Sequence, residues 1–249
     1  MARRRRRPSW PARLAATAVV LALVAAVLAF AGWRWFREYR PDPARYPLRG
    51  IDVSHHQGRI DWPRVAADDV AFAYLKATEG GDYRDDAFAR NWREARAAGL
   101  AVGAYHFFTF CRPGTEQADN FLAAVPVEAD ALPPAVDVEF GGNCGRRPPP
   151  EELRRELDAF LAKVEPVYGR RAVLYVTGDF LDANAAALPP RPLWRRSLFR
   201  EPDPLAQWRV WQYHNRGCVD GITGPVDLNV FFSGPTAFAR WRAAVPAPR

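Results

Sequence analysis

Hydrophobic and polar positions along the chain fall into two regimes. Residues 14–33 carry no charge and are mostly Ala, Val and Leu. At about 1.5 Å per residue, such a run just spans a hydrocarbon layer of about 30 Å. Trp33, Trp35 and Phe36 follow with Arg34 and Arg37 between them, in the order of an interfacial belt. Residues 37–48 contain Pro41, Pro43 and Pro47 and read as a short, stiff linker. The pattern then becomes a rhythm. Apolar, β-rich runs at 49–54, 70–77, 100–108, 134–140 and 171–176 alternate with helix-like segments at about 61–68, 85–98, 114–125, 150–167 and 178–187. Gly99 and Gly169 stand where helix C-caps belong, and Pro148 to Pro150 precede a helical run opening with Glu151-Glu152. Further on, 192–196, 209–213 and 226–232 read as strands joined by loops, and 235–244 as a closing helix. Five βα units and three more strands predict an irregular eight-stranded α/β barrel behind one N-terminal transmembrane helix.

Charge sharpens the division. The formal net charge is +7, but residues 1–40 hold nine Arg and one Glu, or +8, leaving 26 basic against 27 acidic residues, or −1, in 41–249. The basicity belongs to a tail, so nucleic acid is not an expected partner of the folded part. Five arginines, Arg3 to Arg7, ahead of the apolar run leave the N-terminus cytoplasmic and export everything after it. The division that follows is a basic tail at 1–13, a membrane anchor at 14–36, the linker, and a barrel at 49–249. A cleaved signal peptide is the competing reading, because Ala29-Phe30-Ala31 is an acceptable small-x-small site.

The chemistry centres on Ala135-Val136-Asp137-Val138-Glu139-Phe140. Side chains two apart on a strand share a face, so Asp137 and Glu139 look together into whatever that face encloses. Two close acids push each other's pKa values apart, which suits one proton donor and one acid that stays ionised. Barrels of this kind keep their chemistry at the C-terminal ends of the strands. Polar candidates recur there: Asp52, Lys76, Glu79, His106, Tyr175, Gln212 and Asp227. Each alone has an ordinary structural explanation. Four acids on three strands at one end do not. Asp52 with His55-His56 suggests a metal, but adjacent histidines on a strand point to opposite faces, and neither HExxH nor a third ligand-spaced His appears. No metal and no cofactor is expected. Three cysteines are too few for a disulfide scaffold. Cys111 and Cys144 follow neighbouring predicted strands, however, and in an exported domain they are expected to bond, leaving Cys218 out.

Gly50-Ile51-Asp52-Val53-Ser54, Gln57-Gly58 and Ile60-Asp61-Trp62 resemble the opening of glycoside hydrolase family 25, the Chalaropsis-type lysozymes or N-acetylmuramidases. Lys76-Ala77-Thr78-Glu79-Gly80, Gly103-Ala104-Tyr105-His106-Phe107, Asp137-Val138-Glu139, Leu174-Tyr175, Trp211-Gln212-Tyr213 and Val226-Asp227-Leu228-Asn229 continue the resemblance in order. It covers about residues 49–245. It implies a TIM-like (β/α)5(β)3 barrel cutting the β-1,4 bond between N-acetylmuramic acid and N-acetylglucosamine in peptidoglycan glycan strands. By position, Glu139 matches the general acid/base, Asp137 its neighbouring carboxylate, and Asp52 and Asp227 two further acids. Tyr175, His106, Trp211, Gln212, Lys76 and Glu79 are expected to bind the substrate, with Tyr175, His106 and Trp211 supplying hydrogen bonds and a stacking surface for the sugars. Asp137 either attacks the sugar or steadies an intermediate formed by the substrate's acetamido group. One departure stands out: the family usually shows Trp-x-Ala-x-Tyr after strand six, whereas Trp194 here precedes Arg195-Arg196-Ser197-Leu198. That bears on the saccharide contacts of that side and not on the acids. An inactive, membrane-anchored wall-binding protein and a hydrolase of another N-acetylhexosamine polymer are the alternative readings.

Overall fold

The chain divides into two units, residues 1–39 and 40–249. The computed structural model describes residues 10–142, 144–203 and 207–243, so the Arg3–Arg7 run lies outside the described residues. The first unit is one helix, α1 (Trp10–Glu38). Its stretch Arg13–Glu38 has a mean hydropathy of 2.7 in its most apolar window, none of which is buried. Length and composition therefore allow it to cross a membrane. At its C-terminal end the Arg37 guanidinium lies 4.9 Å from the centre of the Trp33 ring.

The second unit is the barrel. Its strands are β1 (Arg49–Val53), β2 (Val70–Glu79), β3 (Tyr83–Arg84), β4 (Ala101–Phe107), β5 (Ala135–Val138), β6 (Val173–Val176), β7 (Leu193–Arg196), β8 (Trp208–Gly217) and β9 (Val226–Phe231). Interleaved are α2 (Trp62–Ala67), α3 (Phe88–Ala97), α4 (Gly114–Ala124), α5 (Pro150–Tyr168), α6 (Gly178–Asn184) and the closing α7 (Pro235–Arg242). Around the barrel the order is β1, β9, β8, β7, β6, β5, β4, β2, and a β1–β2 pairing closes the ring. The short β3 forms a hairpin on the end of β2, too brief to leave an alternation in the sequence. From β1 through β8 the neighbours in the wall run parallel, but β9 runs antiparallel to both β8 and β1. Where βα connections cease, direction is no longer imposed by a crossover helix.

Period-two alternation fills the interior. Phe72, Tyr74, Ala135, Val173, Trp194, Val210 and Phe231 form one buried cluster inside the wall. Phe238 of α7 joins it, with Trp241 packed alongside, so the last helix stoppers one end of the barrel. Helix ends follow local chemistry: α5 begins at Pro150, where a missing N–H costs nothing, and stops at Gly169 with φ +61°.

The stretch read as a linker is partly absorbed into the barrel. Tyr46 is buried against Trp208 and Trp211, and both terminal nitrogens of Arg45 donate to Glu201 at 2.7 Å. Beyond the open end of the barrel, Cys111 and Cys144 form a disulfide across 33 residues. It ties the loop after β4 to the loop after β5, and closing a loop of that length stabilises by roughly 4 kcal/mol in the chain-entropy account. Gly142 lies between Glu139 and the bridge with φ +71°, and a Cβ there would stand 2.7 Å from the Phe107 ring. Both facts demand glycine at that turn.

Candidate active site

Strand ends bring the acids together. Asp52 in β1 and Asp227 in β9 are directly paired in the antiparallel register. Because β9 is reversed, Asp227 reaches the C-terminal ends of the parallel strands from the beginning of its own strand rather than from its end. Asp137 in β5 lies level with Phe107 of β4 and Tyr175 of β6, while Glu139 stands one residue beyond the end of β5. All four acids line one cleft of about 300 Å³, together with Lys76, Tyr105, Tyr175, Trp194, Arg196 and Gln212. A larger groove of about 830 Å³ lies outside the barrel between α2, α3 and the loop before β9, and contains none of these four acids.

A hydrogen-bond chain fixes Asp52. Its Oδ1 accepts from Asn229 Nδ2 at 2.7 Å and from Gln212 Nε2 at 3.0 Å. Asn229 in turn accepts from the Trp194 indole N–H at 2.8 Å, and Gln212 accepts from the Tyr175 hydroxyl at 3.0 Å. Every link is buried, and a fully satisfied buried network of this kind holds a rigid geometry.

Burial dominates the electrostatics. It pushes Asp227 up to about 9, with the neighbouring Asp52 adding to the rise, so Asp227 holds a proton and donates it to Asp52. Asp137 is driven well above the ordinary carboxylate range, first by burial and then by the charges of Glu139 and Asp52. Its Oδ1 is shielded from solvent and has no hydrogen-bond partner among the described residues. Glu139 is also raised by burial, against the pull of the Arg196 guanidinium, whose Nη1 lies 3.7 Å from Glu139 Oε2. Two expectations change. Burial rather than like-charge repulsion is the leading cause of the Glu139 rise, and the cleft by itself favours the neutral form of Asp137 rather than the ionised one.

Residues 51–222 match the glycosyl hydrolases family 25. This chain belongs to that family. Among its relatives, the uncharacterised YegX of Escherichia coli is 41% identical over 197 residues, 76% of this chain and 71% of the other. Lysozyme M1 of Streptomyces globisporus is 35% identical over 202 residues, 74% of this chain and 67% of the other. The solved structure of a family 25 glycosyl hydrolase from Bacillus anthracis superposes with a TM-score of 0.75 at 36% identity, covering 83% of this chain and 97% of that one.

Not every expected site residue of this family 25 hydrolase faces the cleft. His106 is fully buried on the outer side of the wall, between Thr78 Oγ1 at 2.7 Å and Gln117 Oε1 at 3.1 Å, and stacks on Phe160. Burial lowers it to about 4, so it is a neutral core histidine rather than a sugar contact. Trp211 is likewise turned outward, donating its indole N–H to Ser197 O at 2.7 Å and packing on Tyr46 and Trp208. Lys76 lines the cleft, but its ammonium is held by Glu79 at 2.6 Å and lies over the Phe107 ring. Tyr175 and Gln212 line it too, as links of the chain that orients Asp52. His55 and His56 occupy a 3₁₀ turn rather than a strand, so the opposite-faces argument does not apply and their rings lie 4.0 Å apart. His55 is bonded to Asp85, whereas His56 reaches the cleft.

Sequence reasoning assigned no role to Asn229 or Arg196. Asn229 was findable, since it stands two residues after Asp227 and so shares its face. Arg196 was visible as part of the departure from the family pattern, and alternation from Trp194 aims it inward.

Proposed function

We propose that this hydrolase is a peptidoglycan muramidase that cuts the β-1,4 bond between N-acetylmuramic acid and N-acetylglucosamine. The observation that carries the reading is the convergence of Glu139 and Asp137 with the buried Asp52–Asp227 pair in one cleft, in a chain 35% identical to a lysozyme. Glu139 delivers its proton to the bridging oxygen as the bond to the anomeric carbon breaks, and the bonding electrons leave with that oxygen. Positive charge then grows on the sugar ring. Asp137 and Glu139 are close enough to raise one another's cost of ionisation, so the pair shares its proton. Growing positive charge beside Asp137 favours the distribution with that proton on Glu139 and the charge on Asp137. The unpartnered Asp137 Oδ1 suits a group carried by the substrate, such as the acetamido N–H, consistent with the substrate-assisted route. Glu139, left as a carboxylate, then takes a proton from the water that completes hydrolysis. Asp52 and Asp227 hold the floor of the cleft.

Mass spectrometry of digested peptidoglycan tests this. Products ending in reducing N-acetylmuramic acid are expected; reducing N-acetylglucosamine, or release of sugars from chitin in preference to peptidoglycan, would overturn it.

We infer further that α1 stays attached as a single membrane span with the barrel on the outer side. Its length, its apolar composition and the Trp33–Arg37 belt support this. Sequencing the N-terminus of the mature protein is expected to find the chain uncut; a start at Gly32 would make it a secreted enzyme instead.

A further inference from the structure

Two cations line the cleft among the described residues, and they are not in the same state. Lys76 is neutralised by Glu79 at 2.6 Å and rests on the Phe107 ring. Arg196, the last residue of β7, is half-buried, hydrogen-bonded to the neutral Tyr175, and meets Glu139 at 3.7 Å through one nitrogen. That is a loose contact for a guanidinium, whose planar fork of five donors is shaped for a carboxylate at about 2.7–2.9 Å. The charge pairing also exists only while Glu139 is ionised. In the acid form that proton delivery requires, Glu139 offers Arg196 no counter-charge. A positive charge then remains in a partly desolvated cleft beside the bond to be cut.

We propose that Arg196 forms a carboxylate-recognising subsite next to the catalytic acid. The inference rests on the muramidase reading and deepens it: the ligand is a carboxylate borne by the glycan near the scissile bond. Two parts of peptidoglycan offer that chemistry. One is the lactyl carboxylate of a muramic acid that has lost its peptide; the other is a carboxyl group of an attached peptide stem. A substrate carboxylate takes the place of the Glu139 carboxylate on Arg196, so occupation of the subsite and the acid form of Glu139 favour one another. Without Arg196, the charged groups lining the cleft would be the acids Asp52, Asp137, Glu139 and Asp227 and a lysine already paired.

Binding to the full-length Glu139→Gln protein provides the test, because it needs no turnover. Two pairs of ligands are compared: peptide-free glycan strands with lactyl carboxylates intact or converted to carboxamides, and peptide-bearing strands with stem carboxyls intact or amidated. In one pair the carboxylate form is expected to bind about tenfold more tightly or better, the scale of a charge-assisted hydrogen bond, and that pair names the source. Adding Arg196→Gln is expected to abolish the preference, and Arg196→Lys to keep part of it. Wild-type protein, whose Glu139 competes for Arg196, is expected to show a weaker preference than Glu139→Gln. Equal binding within both pairs, or a preference that survives Arg196→Gln, overturns the subsite while cleavage by the wild type still supports the muramidase. Strands neither bound nor cleaved would overturn both.

Discussion

Glu139→Gln is expected to lower turnover of peptidoglycan by roughly 10²–10⁴-fold, the usual contribution of general acid catalysis. The amide keeps the shape of the side chain, so binding to the wall should persist. It cannot deliver a proton to the leaving oxygen. Asp137→Asn should be comparably severe, because it removes the charge that answers the developing positive charge on the sugar. The wild-type pH profile carries the same assignment. Burial raises Glu139, so its acid form survives to higher pH than that of an ordinary glutamate, and the rate falls on the alkaline side as the proton is lost. Single-turnover digestion of purified peptidoglycan checks these points, and a Glu139→Gln protein that cut at the wild-type rate would remove Glu139 from the chemistry.

The second large effect concerns stability. Asp227 is raised from 3.8 to about 9. In the folded barrel it therefore keeps a proton that the unfolded chain gives up near pH 4. Between those two values the folded state binds more protons, so stability declines as pH rises across the window and is lowest above its upper edge. The full span corresponds to roughly 7 kcal/mol as an upper bound. Asp227→Asn mimics the protonated acid, since its amide stays neutral and can donate to Asp52 as the acid does. Urea midpoints measured from pH 5 to pH 9 are expected to fall for the wild type and to fall less steeply for the variant. A residual slope should remain from Asp52, Asp137 and Glu139, which are also raised. Identical slopes would show that Asp227 gives up its proton at an ordinary pH.

Much of the barrel was legible because βα units repeat a simple alternation of patterns. Strand direction at the end of the ring was not, because β8 and β9 are joined by a loop with no helix to impose a crossover. The acids were legible as carboxylates in apolar runs, which few structural roles explain. Errors came from the parity of the strands. Tyr105 and Phe107 line the cleft, so His106 between them points outward; Gln212 lines it, so Trp211 beside it does not. A register shift between Lys76 and Thr78 explains why parity alone fails in β2, where Lys76 faces the cleft and Thr78 meets the outward His106. Nothing in the composition of 40–48 announced that Tyr46 would be buried, since its partners Trp208 and Trp211 lie more than a hundred residues away.

The closure of the ring by β1 also governs how the enzyme is made. The hydrogen bond from Asn229 to Asp52 spans 177 residues, and β1 has no second neighbour until β9 arrives. Synthesis from the N-terminus delivers β1 early, and it must wait for β9, because contacts this distant in sequence form only after the intervening loop entropy has been overcome. Cys111 and Cys144, 33 residues apart, come within reach much sooner. Oxidation is therefore expected to pin the two loops while the barrel is still open, and the floor of the cleft, built from the first and last strands, is expected to assemble last.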